Sequence, residues 1–377
     1  MCDTSRQPTT ARHNGACSVV DTNIDNNHLP AQNGRDDRES SVVAILDRVV
    51  GATRRAAGRV ARSRSGRIAG ALLLIVGLFL LTQRSFVAEQ MASYATDSQS
   101  PPLPAEWMVD DAILQSAAEA SRGSHGLDGE IHHTVDYPHQ LLAALESPTY
   151  SVEGNVTVVD GTAVLQHDPR VPIGMPLLQF LEYAAIAELP IVKLDLKRDD
   201  SGPIIADVHQ AVDEFGLKPS QMHFNANVFR GPGVENDIFG ARSDKSFVDR
   251  MYNLIVMELE TSDLVRFAEE FPDSTIVISS TTATGPMDIG YSEKHLDQFV
   301  EAAEEIRETN PQQPLAFAVR GDLAAQSGPG FIEGLSAVDN SYVAAWWSGD
   351  VPSEPEEIQT LRNQGVTFFD TGQEKGL

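Results

Sequence analysis

Glu153, Asn155 and His167 fall within one stretch, Val152 to Asp168, whose valine-rich alternation breaks once, at Asp160-Gly161. That pattern reads as two short extended segments joined by a tight turn, because Gly supplies the positive φ such turns demand. Glu153 and Asn155 stand two positions apart, so on a strand both side chains point to one face, where apolar residues would otherwise be expected. His167 follows at the point where the second segment gives out into a loop, with Asp168 and Pro169 behind it. A carboxylate, a carboxamide and an imidazole can thus meet at one strand-end rim. The plainer reading is a polar edge strand with a surface histidine, and the rest of the chain has to decide between the two.

The elements that would position these groups run from Gly129 onward, where strand-like and helical runs alternate. Ile131 to Val135 reads as a strand and Tyr137 to Leu145 as a helix. After the opening stretch come a helix over Leu177 to Ala187, a strand over Ile191 to Lys197, a helix over Ile204 to Phe215 ended by Gly216, and a strand over Met222 to Phe229. Phe247 to Ile255 and a run capped by Thr261 or Ser262 read as helices. Strands at Thr275 to Ser280, Leu315 to Val319, Tyr342 to Trp347 and Val366 to Phe369 alternate with helices at Glu293 to Glu308, Phe331 to Val338 and Pro355 to Asn363. About eight strands, nearly every one followed by a helix, give an α/β class and a (β/α)8 barrel of the TIM type. An open doubly wound sheet gains no support, since no Gly-x-Gly-x-x-Gly opens a helix after a strand.

Parallel α/β sheets place their chemistry at the carboxyl ends of strands. The residues there are His133, Glu153, Asn155, His167, Asp195, Lys197, Asn225, Asn227, Arg320, Trp347, Asp350 and Asp370. Each alone is accounted for by a satisfied strand-end hydrogen bond, an ion pair or, for the tryptophan, a core position. Two histidines, two carboxylates, a lysine and an arginine on one rim are harder to dismiss.

Composition bounds the partners. Residues 1–100 hold twelve Arg against nine acidic residues, whereas the remainder holds sixteen Lys or Arg against forty-five acidic residues. So acidic a body repels the phosphates of nucleic acids and anionic lipid surfaces. Residues 1–66 are polar, Arg-rich and poor in aromatics, which reads as a disordered tail. Both cysteines, Cys2 and Cys17, lie in it, so the body forms no internal disulfide and no thiolate metal site. Ile68 to Gln83 is uncharged and apolar; at ~1.5 Å per residue it spans roughly 24 Å, enough for a ~30 Å hydrocarbon core if Arg67 and Arg84 snorkel. Six arginines between Arg54 and Arg67 precede it, so the positive-inside rule puts the tail in the cytoplasm and the acidic body outside. The expected organisation is a cytoplasmic tail (1–66), an uncleaved single-pass plasma-membrane anchor (67–84), a tether with a short helix (85–128) and a barrel domain (129–377).

The order His133, Glu153-Gly154-Asn155, Asp160-Gly161, His167-Asp168 and Asp195-Leu196-Lys197 resembles the phospholipase-C-like phosphodiesterase superfamily, which includes the glycerophosphodiester phosphodiesterases. More closely, the body resembles the menorin family. That likeness is carried by His133-Thr134-Val135-Asp136, Lys193-Leu194-Asp195-Leu196-Lys197, Phe224-Asn225-Ala226-Asn227 with Gly231-Pro232-Gly233, Phe271-Pro272-Asp273 before Ser279 to Thr282, Ala318-Val319-Arg320, Trp347-Ser348-Gly349 and Phe369-Asp370. The resemblance implies a barrel of the phosphodiesterase kind. Two departures stand out: the superfamily's Glu-x-Asp is here Glu153-x-Asn155, which removes a negative charge from the implied metal site, and the tract from Gly231 to Glu260 is longer than the family leads one to expect.

Oxygen ligands without Cys suit a hard divalent cation, Mg²⁺ or Ca²⁺, with Glu153, Asn155 and Asp195 as ligands. His133 and His167 are then the acid and base on either side of a phosphorus. Lys197, and Arg320 less directly, would neutralise phosphate oxygens, with Asn225, Asn227 and Trp347 lining the substrate. The expected activity is hydrolysis or cyclising cleavage of a glycerophosphodiester or phospholipid headgroup outside the membrane. An alternative is a non-catalytic interaction or adhesion module on the same barrel, motivated by Asn155, with a protein partner. A glycosidase using Glu153 and Asp195 is a third class, and it predicts activity needing neither metal nor histidine.

Overall fold

The computed structural model describes residues 101–125, 130–147, 151–167, 171–197, 201–234, 259–282, 288–348 and 353–370. The expected tail, the anchor, the start of the tether, the helix over Phe247 to Ile255, Asp168 and Asp350 lie outside these. Among the described residues no helix is long and apolar enough to cross a membrane.

Helix α1 (Asp111–Ser121) opens the described chain, its N-terminus capped by the Asp110 carboxylate, which accepts from the Ala112 N–H at 2.8 Å. Then follow β1 (Ile131–His132), α2 (Pro138–Glu146), β2 (Ser151–Val159), β3 (Thr162–Leu165), α3 (Leu177–Ala187), β4 (Val192–Leu196), α4 (Ser201–Phe215) and β5 (Met222–Arg230). The second half comprises α5 (Thr261–Glu270), β6 (Thr275–Thr281), α6 (Glu293–Thr309), β7 (Leu315–Arg320), α7 (Gly321–Gln326), α8 (Pro329–Ser336), β8 (Ser341–Trp346), α9 (Pro355–Gln364) and β9 (Val366–Asp370).

All strands but β3 pair in parallel, in the order β1-β2-β4-β5-β6-β7-β8-β9, and β3 folds back antiparallel on β2. A parallel bridge from Glu130 to Phe369 brings the last strand beside the first, so eight parallel strands form a nearly closed barrel. The main core lies between this barrel and its helices, where Phe180, Phe224, Phe267, Phe299 and Phe317 are buried. A second, small apolar cluster of Val277, Ala316 and Ala318, flanked by Tyr342 and Trp346, fills part of the barrel interior.

Three local features shape the site. β1 stops three residues early because Thr134 takes a φ of 60°, a left-handed conformation that costs a β-branched residue dearly. Gly174 passes so close to the carbonyl of Asp136 that an added Cβ would lie 1.9 Å from that oxygen. The helix expected within the tether is docked: α1 packs on α2 and α3, and Trp107 just before it lies against Tyr137 at 4.7 Å between ring centres.

Candidate functional site

Register fixes which side chains share a level inside the barrel. Glu153 is paired with Lys193 and Lys193 with His223; one step on, Asn155 is paired with Asp195 and Asp195 with Asn225. Paired residues on parallel strands present their side chains to the same face. Six polar groups on β2, β4 and β5 therefore line the interior in two layers. On the far side the partner of Trp346 is Asp370, which closes the ring next to β1.

The lower layer is an ionic cluster. His133 Nδ1 lies 3.0 Å from Glu153 Oε1 and 3.0 Å from Asp370 Oδ2. The Lys193 ammonium contacts Glu153 Oε2 and lies 3.2 Å from Asp370 Oδ2. Burial alone would lower the His133 pKa, but the Asp370 and Glu153 carboxylates outweigh it and hold the ring protonated well above its usual range. Burial likewise opposes the charge on Glu153, Asp370 and Lys193, and in each the opposite charges win: both acids titrate lower than usual and the lysine higher. Two carboxylates thus face two cations, so the cluster carries no net charge. With Nδ1 committed, Nε2 is the ring nitrogen of His133 left to a ligand.

The upper layer is ordered by amide hydrogen bonds. Asn155 donates through its backbone N–H to Asp136 Oδ1 at 2.8 Å and through Nδ2 to both Asp136 oxygens, at 3.1 and 3.0 Å. Burial raises the Asp136 pKa to about 6, against the lowering effect of those bonds and of Lys197. Asp195 accepts from Asn225 Nδ2 at 2.8 Å and contacts the Lys197 ammonium. The side-chain Oδ1 atoms of Asn155 and Asn225 are buried, and no donor reaches them among the described residues.

The structure therefore brings His133, Glu153, Asn155, Asp195, Lys197 and Asn225 to one end of the barrel wall, on adjacent strands. His167 is exposed one residue beyond Gln166, whose N–H donates to the Asn155 carbonyl at 2.7 Å; the β3 return places it beside β2. Asn227 accepts from the Ser279 hydroxyl at 2.8 Å. Arg320 is fully buried, its guanidinium held in a two-pronged grip by Asp322 at 2.7 and 2.8 Å. Trp347 belongs to the outer core, stacked on Phe369 and lying over Gly321, where a Cβ would fall 2.2 Å from the indole ring. Its neighbour Trp346 is the tryptophan that reaches the interior.

Sequence reading gave no role to Lys193, Asp370, Asp136, His223 or Tyr342. The alternation Lys193-Leu194-Asp195-Leu196-Lys197 does carry a signal for the first, since the three charges share a face. The Tyr342 hydroxyl hydrogen-bonds His223 Nδ1 at 3.0 Å below the cluster, where burial, with Lys193 adding to it, lowers the His223 pKa to about 3. His133, Glu153 and Asp370 each offer a ligand atom of a kind that holds metal ions, all within 4.8 Å of one another.

The sequence profile of the menorin N-terminal domain matches residues 126–367. No curated protein matches the chain significantly. Among solved structures, a glycerophosphodiester phosphodiesterase from Parabacteroides distasonis ATCC 8503 is similar at 14% identity and a TM-score of 0.39, over 66% of this chain and 94% of that one. A proposed glycerophosphodiester phosphodiesterase from Galdieria sulphuraria is similar at 10% identity and a TM-score of 0.41, over 65% and 94% of the two chains.

Proposed function

The chain belongs to the menorin family, and from that premise and the site's geometry we propose that the barrel mouth binds and cleaves a phosphodiester, that of a glycerophosphodiester or lipid headgroup. The observation that carries this reading is the His133 imidazolium, held by Glu153 and Asp370 at a strand end, with Lys197 just past the end of β4, two strands along. A proton donor of that kind can protonate the leaving alkoxide as the phosphorus–oxygen bond breaks. Lys197 offsets the charge that grows on the phosphoryl oxygens. The attacking oxygen, from water or a substrate hydroxyl, gives its proton to the His167 imidazole or to solvent. With the segment 67–84 as anchor, this chemistry takes place on the outer side of the plasma membrane.

The implied Mg²⁺ or Ca²⁺ on Glu153, Asn155 and Asp195 fits these residues poorly. Glu153 is engaged by Lys193 and His133, Asp195 by Lys197 and Asn225, and Asn155 offers one neutral oxygen because its NH₂ is given to Asp136. No step above passes through a metal. The engagement of Glu153 and Asp195 by the chain's own cations favours the second reading, a non-catalytic interaction module. Turnover of glycerophosphodiesters by the full chain in detergent, with and without EDTA, separates the two. The first reading expects hydrolysis that falls about 10²- to 10⁴-fold in His133→Ala; no hydrolysis above that variant's level across the substrate set would leave the module.

A further inference from the structure

We infer that the Lys193 ammonium takes the place of a metal ion in this barrel, so that the two acids of the potential ligand set His133, Glu153 and Asp370 are occupied by the chain's own cation. The three ligand atoms lie within 4.8 Å of one another, a spacing at which one ion could touch all three. Lys193 Nζ is in contact with Glu153 Oε2 and 3.2 Å from Asp370 Oδ2, and its side chain is only 6% exposed. It reaches the cluster from β4, where Lys193 is the register partner of Glu153, so the backbone itself delivers the amine to the acids.

Charge and space decide against a second cation. A divalent ion bound beside Lys193 would meet an ammonium at contact range in a site with little water to screen it. Lys197 stands one layer above, on Asp195, and adds to the repulsion. The internal space on the side of Lys193 and Asp370 that neither His133 nor Glu153 lines is about 10 Å³, room for about one water molecule, so an ion could not take up a hydration shell on that side. A lysine is also permanently attached, so the two acids are neutralised whatever the metal supply. The claim concerns the resting cluster and does not depend on the proposed hydrolysis.

The test is binding and melting, not turnover. Mn²⁺, which accepts nitrogen and oxygen ligands, is titrated by calorimetry and by electron paramagnetic resonance into the full chain, Lys193→Met and Lys193→Met/Glu153→Gln, and each is melted in Mn²⁺ and in EDTA. The wild type is expected to melt at one temperature in both media and to show no stoichiometric site sensitive to Glu153→Gln. Lys193→Met is expected to bind one Mn²⁺ at least about tenfold more tightly than wild type, to melt higher in Mn²⁺ than in EDTA, and to lose both properties with Glu153→Gln. One Mn²⁺ or Ca²⁺ per wild-type chain, lost with Glu153→Gln and raising its melting temperature, would overturn the inference. So would a folded Lys193→Met as indifferent to metal as the wild type. Should Lys193→Met not fold, Lys193→Gln serves, and the wild-type titration decides by itself.

Discussion

On strands β2, β4, β5 and β9 the inward side chains are Glu153, Lys193, His223 and Asp370, whereas β6, β7 and β8 bring Val277, Ala316 and Ala344 to the interior. One side of the barrel is ionic and the other is largely apolar, small on β6 and β7 and bulkier on β8, where Tyr342 and Trp346 reach inward. The ionic side contains every charged group assigned to the cluster, and it includes the strands at which the sheet begins and ends. The apolar side contributes close packing against those groups, which keeps water from them and strengthens each charge contact. Chemistry in this barrel is therefore a property of one wall, and the facing wall sets the dielectric in which it works.

The contrast can be broken most severely from the ionic side. Glu153→Gln leaves Lys193 and His133 with one carboxylate between them and is expected to cost about 3–5 kcal/mol in urea unfolding. Pairing it with Lys193→Met should recover a large part of that loss, because both charges are then gone. On the apolar side, Ala316→Leu inserts three carbons where the space is nearly filled, with an expected cost of about 1–3 kcal/mol and little change in any hydrolysis that survives folding. A loss of activity larger than the loss of stability would show that the apolar wall touches substrate.

A pH dependence, graded rather than all-or-none, is expected from His223. His223, with a folded pKa of about 3 against an ordinary 6.5, is neutral in the fold and takes up a proton on unfolding over that window. Stability from this group is intact above pH 6.5 and falls as the pH drops towards 3, by at most about 1.4 kcal/mol per unit. In His223→Gln, which can still accept from Tyr342, unfolding curves between pH 7 and 5 should be flatter than in wild type. Equal slopes would mean that His223 is not shielded as the fold implies.

Much of the architecture was legible because periodicity is local. The helix over Leu177 to Ala187 matches its expected limits, and the strands that begin at Met222, Thr275, Leu315 and Val366 start where expected. Helix α7 was not legible: it is six residues long, opens on Gly321 and has too few turns to show an apolar stripe. The site was legible as a set of residue types and illegible as a set of partners. Nothing near Glu153 in sequence indicates that Lys193 and His133 will claim it, because closure of the sheet decides that. For Trp346 and Trp347, alternation offered two phases, and the register with Asp370 on β9 chose between them. Arg320, expected to help neutralise phosphate oxygens, is instead gripped by Asp322 two residues on, which lies past the strand end, where alternation no longer governs.

His133 and Asp370 are 237 residues apart, yet their contact spans the one place where the sheet meets itself through a single bridge. The ion cluster is thus also the clasp of the ring. A chain that stops short of β9 holds an incomplete set of charges and an open seam at once, so this one strand completes both the enclosure and its neutrality. Any truncation before Asp370 should expose a sheet edge and leave Lys193 and His133 to share Glu153 alone.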